Sequence, residues 1–279
     1  MRIDLHTHSN RSDGTLTPAE VMAAAAAADL DVVALTDHDT TAGWDEASAA
    51  AEAVGIRLVG GIEISCRWYG TEPAIGLHLL AYLVDPADPA LTAELARVRD
   101  ARVHRAERMV ELMRADGVDV TMDEVRGYAA GGTIGRPHLA QALIRRGMAT
   151  TVGEAFAPHL LGERWRLPKD DVDVFRALDL VRAAGGVPVF AHPRATVRGR
   201  VVPDELIARM AAAGLAGLEV DHADHTPTQR AELRALATDL DLVVTGSSDF
   251  HGANKPIPIG ANLTSPASLD AILAAPTVR

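Results

Sequence analysis

Short apolar stretches rich in Val, Ile and Leu recur along the chain: MRIDLHTH, LDVVALTDHD, IRLVGGIEIS, GLHLLAYLV, GVPVFAHP, GLEVDH and LVVTGSSDFH. Each has the length of a buried strand, and helical patterns separate most of them. Seven such runs alternating with helices predict βα units wound around a parallel sheet. The first helix is marked by Thr17 as N-cap, Pro18 in the first helical position and Glu20 completing a capping box. Its alanine run then needs no further reason, since alanine is the best helix former. In the first strand alternate side chains share a face, which predicts His6 and His8 on one side with Ile3 and Leu5 on the other.

Between Pro89 and Asp171 the strand rhythm stops. LTAELARVRDARVHRAERMVELMRADG, TMDEVRGYAAG and GRPHLAQALIRRG read as helices, the second opened by a capping box of Thr121 and Glu124. The pattern predicts a barrel in two parts, residues 1–88 and 172–279, interrupted by a mostly helical insertion or cap over 89–171. Arg97, Arg102, Arg105 and Arg108 are expected to form a solvated face paired with Glu94, Glu107 and Glu111.

A chain of 279 residues with 48% hydrophobic and 23% charged positions has ample material for a core. Its net charge of −11 argues against duplex nucleic acid and anionic membrane as partners. An anionic small substrate is still compatible, because bound metal reverses the local sign. Cys66 is the only cysteine, so no disulfide forms within the chain, and a small buried thiol in a cytoplasmic protein is expected. No secretory signal is expected, since the first residues lack a basic stretch followed by an apolar one. VMAAAAAADLDVVAL is interrupted by Asp29 and Asp31 and is too short to span a membrane.

The polar residues at the ends of the strand runs change the picture. His6 and His8 close the first run, with Asp13 in the loop after it; His38 follows the second, and Glu63 ends the third. His78 lies within the fourth run, His192 ends the fifth, and Asp249 and His251 end the seventh. Carboxyl ends of parallel strands are where barrel active sites are built. Any one of these residues has a plain structural explanation: a rim charge, a core histidine, a helix cap. Nine on one rim do not, because burying such groups uncompensated costs roughly several kcal/mol each, a cost that cations remove.

HTHSNRSDG, LTDHDT, GIEIS, AHP and SDFH, in this order, resemble the polymerase and histidinol phosphatase (PHP) family of metal-dependent phosphoesterases. TIGRPHLAQAL and VFAHPRA resemble, more narrowly, stand-alone bacterial members. Some of these remove the 3′-phosphate from nucleoside 3′,5′-bisphosphates, and some trim short RNA from its 5′ end. The resemblance covers essentially the whole chain. It implies an α/β fold, a distorted seven-stranded (β/α) TIM-like barrel, with two to three divalent ions. One ion would be held by His6, His8, Glu63 and Asp249, a second by Glu63, His78 and His192, and a third by Asp13, His38 and His251. Histidine–oxygen donor sets suit manganese, iron or zinc.

Paired cations lower the pKa of bound water toward ~7 and stabilise charge on phosphoryl oxygens. Arg136, where a helix should begin, together with Lys169 and Arg194, is expected to bind phosphate, holding the one not being cleaved if there are two. His225 is the candidate proton donor or phosphate contact, with His222 second, and His138 is expected to orient Arg136. His104 and His159 are read as structural. The leading expectation is a phosphatase acting on a nucleoside 3′,5′-bisphosphate. A 5′–3′ exoribonuclease acting on short single-stranded RNA is the alternative, with Trp68, Tyr69 and Trp165 among the few aromatic platforms. A non-catalytic metal-binding module is a third reading, opposed by the completeness of the nine positions.

Overall fold

In the computed structural model, which describes residues 1–275, one sheet organises the chain. Its strands are β1 (Ile3–Thr7), β2 (Val32–Leu35), β3 (Arg57–Trp68), β4 (Ile75–Tyr82), β5 (Val172–Asp173), β6 (Val187–Ala191), β7 (Gly217–Asp221) and β8 (Val243–Gly246). The order is β1-β2-β3-β4-β6-β7-β8, with the two-residue β5 attached to the far end of β3. The sheet curls until its edges almost meet. Thr7 and Phe250 form a parallel bridge, and the His8 N–H donates to the Phe250 carbonyl at 2.9 Å. The result is a nearly closed seven-strand barrel.

The expected parallel sheet holds except at β4, which runs antiparallel to both β3 and β6. The cause is chain length. Residues 69–74 join β3 to β4 as a hairpin, whereas a parallel neighbour needs a crossover of about a dozen residues. Glu63 does not end a strand either. It lies inside β3, which pairs with β2 up to Gly60 and with β4 from Gly61 onward. Gly61 permits the changeover, since a Cβ there would meet Thr36 Cγ2 at 2.7 Å.

Strand β1 groups Ile3 with Leu5 and His6 with His8, as alternation predicts, but it is not regular. Its pairing with β2 slips by one residue between Asp4 and Thr7, so a bulge redirects the strand. Ile3 and Leu5 share a cluster with Val59, Leu80, Tyr82 and Val189, completed by Leu269 and Ile272 of α10 (Pro266–Ala274). Helices α1 (Pro18–Ala27) and α2 (Trp44–Val54) cover β2, burying Val21, Met22, Ala47 and Ala51 against Val33 and Leu35. The capping box of Thr17 and Glu20 is present at the start of α1.

The segment after β4 contains α3 (Pro89–Ala115), α4 (Met122–Ala129), α5 (Arg136–Arg145) and the short α6 (Val152–Ala155). Helix α3 serves two cores. Leu91, Leu95 and Val98 pack against the barrel, while Ala106, Met109 and Met113 join Val125, Leu139, Leu143 and Trp165. The Thr121 cap on α4 is one-sided. Its hydroxyl accepts from the Glu124 N–H, but the Glu124 carboxylate pairs with Arg146 instead of closing the box. Trp165 is buried with its indole N–H donated to Asp116, which removes it as a stacking platform. The arginine face of α3 is only partly solvated: Arg97 pairs with Glu94, but Arg102 is buried against Asp39 and Ser65. Helices α7 (Val174–Ala183), α8 (Asp204–Ala212) and α9 (Pro227–Asp239) complete the outer layer. Among the described residues, no helix is long and apolar enough to cross a membrane.

Candidate metal centre

All nine predicted ligand residues converge at one end of the barrel. Strand ends deliver His6, His8, His38, His192, Asp249 and His251, and the loop after β1 delivers Asp13. His78 reaches the same rim from within β4, paired with Ser65 on one side and Ala191 on the other. The antiparallel course of β4 makes this possible, because its first half lies level with the ends of its neighbours. Glu63 is the hub: its oxygens lie 3.1 Å from His6 Nε2, 3.0 Å from His8 Nε2, 3.4 Å from His38 Nδ1, 2.7 Å from His78 Nδ1 and 2.9 Å from His192 Nε2.

Three overlapping groups have donor atoms close enough to share an ion: His6, His8, Glu63 and Asp249; His38, Glu63 and His78; and His8, Asp13, His38 and His251. The first matches the set expected for one ion. His38 stands between the second and third groups, and His192 meets the second through Glu63.

The chemistry of the donor set fits divalent cations. Asp249 Oδ1 is buried with no hydrogen-bond partner, 3.4 Å from nitrogens of His6, His8 and His251. His6 Nε2 and His8 Nε2 face each other at 3.0 Å, where two lone pairs repel unless a proton or a metal lies between them. Burial lowers the pKa of His192 to about 3, with Arg198 adding to the effect, and of His251 to about 4, with Lys255 and His8 adding. Neutral imidazole is the ligand form. Burial likewise opposes charge on His6, but Glu219, Glu63 and Asp249 outweigh it and hold that pKa well above the ordinary value. The pocket therefore draws positive charge toward the point where these donors meet.

Comparison with known proteins places this arrangement. The model of the PHP domain matches residues 4–120. A 5′–3′ exoribonuclease of Haemophilus influenzae is 36% identical over 264 residues, covering 94% of each chain. The chain belongs to the PHP family. A 3′,5′-nucleoside bisphosphate phosphatase of Chromobacterium violaceum is 35% identical, covering 91% of this chain and 88% of the relative. Among solved structures, a Bifidobacterium adolescentis protein assigned as a metal-dependent phosphoesterase superposes with a TM-score of 0.92 at 39% identity, covering 97% of this chain and 95% of its own. The protein is thus a PHP metal-dependent phosphoesterase.

The residues expected to surround the PHP centre fare unevenly. Arg136 opens α5 with its guanidinium 4.9 Å above the Phe156 ring. Lys169 lies 3.7 Å from Asp171, and its carbonyl accepts from Arg67. His138 is buried and accepts from the Gly135 N–H, so it caps α5 just ahead of Arg136. His222 accepts from the Asp224 N–H at Nδ1 and turns Nε2 toward Asp249 Oδ2 at 3.3 Å.

Two expectations need correction. Arg194 does not overhang the rim, since its guanidinium is held by Asp204 and the Val202 carbonyl. His225 has no free nitrogen: Nδ1 donates to the Val220 carbonyl and Nε2 accepts from the Arg194 N–H. Burial lowers its pKa, so it is a neutral loop anchor with no proton to pass to a leaving group.

Arg198 and Lys255 supply what Arg194 does not. Both pair with Asp249 Oδ2, Lys255 at 2.6 Å, and Arg198 also meets Asp224 and lies 3.1 Å from His192 Nε2. Neither stands beside a recognisable motif residue, although Lys255 follows SDFH by four positions. A third omission is Glu219, fully buried behind His6.

Proposed function

We propose that this enzyme hydrolyses the 3′-phosphate of a nucleoside 3′,5′-bisphosphate, releasing a nucleoside 5′-monophosphate and phosphate. One observation carries the reading: a second positive cluster borders the metal centre. Lys169, Arg102 and Arg105 outweigh the burial of Asp171 and hold its carboxyl below the usual range, with His78 contributing from the centre itself, and Asp171 in turn favours the charge on Arg136. Arg102 is committed to Asp39, whereas Arg105 and Arg136 have no carboxylate partner among the described residues. Burial and neighbouring cations lower the pKa of each to about 10, so both remain charged at neutral pH. Both are half-buried, and cations withdrawn from water without a partner are costly unless an anion completes them. A phosphate held here while another lies at the ions accounts for both clusters.

On this reading His6, His8, Glu63 and Asp249 hold one ion, Glu63, His78 and His192 a second, and Asp13, His38 and His251 a third. Manganese is the first choice, with iron or zinc as the other candidates. When bound, such ions supply Lewis acidity and an activated water. Arg198 and Lys255, beside Asp249, neutralise charge developing on the phosphoryl group, and His222, whose Nε2–H faces Asp249, is the remaining histidine candidate for protonating the leaving oxygen. The residues over 89–171 form a cap that presents the second phosphate site. A reducing, cytoplasmic setting suits the single buried thiol of Cys66.

The name of the Haemophilus relative supports a second reading, trimming of short 5′-phosphorylated RNA. Of the aromatic platforms considered, Tyr69 is exposed, while Trp68 packs against the barrel core. A panel of nucleoside monophosphates, 3′,5′-bisphosphates, phosphoserine, histidinol phosphate and 5′-phosphorylated di- to pentanucleotides distinguishes them. The 3′,5′-bisphosphate should give the highest kcat/KM. Preference for pentanucleotides selects the second reading, and preference for histidinol phosphate rejects both.

A further inference from the structure

Behind the ligand residues lies a carboxylate with no assigned role. Glu219 projects from β7 and is wholly buried, and three donors from three other parts of the barrel converge on it. His6 Nδ1 lies 2.9 Å from Oε1, the Ser247 hydroxyl donates to the same oxygen, and the His192 backbone N–H donates to Oε2 at 2.8 Å. We propose that Glu219 is a positioning residue that fixes the ring of His6 and the backbone of His192 together, coupling two ion sites through one side chain. This inference rests on the metal centre and is independent of which ester is cleaved.

An ionised carboxylate only accepts, and both Glu219 oxygens already receive a proton from a neighbour. His6 must therefore carry a proton on Nδ1, which leaves the Nε2 lone pair for the centre, 3.1 Å from Glu63 and 3.4 Å from Asp249. A hydrogen bond of this kind sets the tautomer, orientation and basicity of a ligating histidine.

On the other oxygen the requirement is conformational. His192 has φ +35°, a left-handed backbone that a residue with a Cβ adopts only under constraint. Its N–H bond to Glu219 supplies part of that constraint and leaves the ring aimed at Glu63 from 2.9 Å. Glutamine cannot replace this group. Its single oxygen can serve His6 or the His192 N–H, and its amide N–H₂ then faces a donor at the other position.

The test compares wild type with Glu219→Gln in metal content and metal affinity, using elemental analysis and competition with a chromophoric chelator for Mn²⁺ and Zn²⁺. Affinity should fall about 10–100-fold, the usual effect of losing such an outer partner. Ser247→Ala, which leaves the His6 and His192 bonds in place, should change it only a few-fold. In the zinc-loaded wild-type protein, long-range ¹⁵N NMR should show His6 protonated at Nδ1. Unchanged stoichiometry and affinity in a folded Glu219→Gln protein would overturn the proposal. Should that variant fail to fold, the wild-type spectrum decides, with a proton on His6 Nδ1 supporting the proposal and an unprotonated Nδ1 refuting it.

Discussion

Replacing Arg136 by alanine removes one cation from the proposed second phosphate site while leaving the metal centre untouched. A point charge 4 Å from a phosphate is worth roughly 4 kcal/mol at an effective dielectric of 20, which sets a ceiling. A charge-assisted hydrogen bond contributes about 1.5–3 kcal/mol net. Part of the loss is restored, because Arg136 is one of the charges that depress Lys169, and without it the amine holds its proton more firmly. A net loss of about 2 kcal/mol follows, or a roughly 30-fold rise in KM for a 3′,5′-bisphosphate. The KM of the matching 3′-monophosphate should change less than about twofold. Stability should barely move, since losing the contact with Phe156 costs about 0.5–1 kcal/mol and relieved repulsion offsets it. Initial rates of phosphate release from the two substrates, with a thermal melt as control, measure all three quantities. An equal rise in KM for both substrates would refute the two-anion site.

His192→Ala should lose turnover by about two orders of magnitude or more while keeping its circular-dichroism spectrum, with a fall in bound metal by elemental analysis. Lys169 offers a pH test: Asp171 supports its charge, but burial and the cations Arg102, Arg105 and Arg136 together bring its pKa down to about 8. The ammonium is present below that pH and lost above it, so KM for the bisphosphate should climb between pH 7 and 9 and that for the monophosphate should not. Arg102→Met leaves Asp39 buried without its partner and should cost about 3–5 kcal/mol, lowering Tm by about 10 °C in a thermal scan. Chelation should abolish phosphate release, and added Mn²⁺ should restore it, as followed by activity alongside metal analysis.

Most of the ligand set was readable because its members occupy strand ends or adjacent loops, where local sequence reports position, whereas Glu63 and His78 lie inside β3 and β4. Seven apolar runs correspond to the seven strands of the barrel path, and the Thr17 capping box forms as written. What escaped depends on pairing across the chain. A hairpin and a crossover differ only in the length of the link, so the link over residues 69–74 carried the clue to the antiparallel β4. Glu219 looks like any acidic residue in GLEVD until β1, β6 and β8 close around it. Arg194 and Arg198 are equally plausible in sequence. Asp204 claims the first, and the loop carries the second to Asp249.

Net charge, too, misleads when read as an average. With 38 acidic and 27 basic residues the chain should repel a bisphosphate at long range. At the centre, however, two of the acidic side chains, Glu63 and Asp249, are buried among imidazoles and cations, and Asp171 faces several cations alone. Burial makes these short-range terms far stronger than the screened field of surface carboxylates, which fades over a Debye length of about 8 Å at physiological salt. Added salt should therefore affect the encounter of substrate and enzyme more than the bound complex. With an acidic exterior and a cationic interior, raising ionic strength should speed association of a bisphosphate, opposite to the effect on an enzyme that attracts its substrate by overall charge. A bisphosphate kcat/KM that falls steeply between 10 and 100 mM salt would mean that the surface field around the mouth is positive, and that the two cationic clusters already act from a distance.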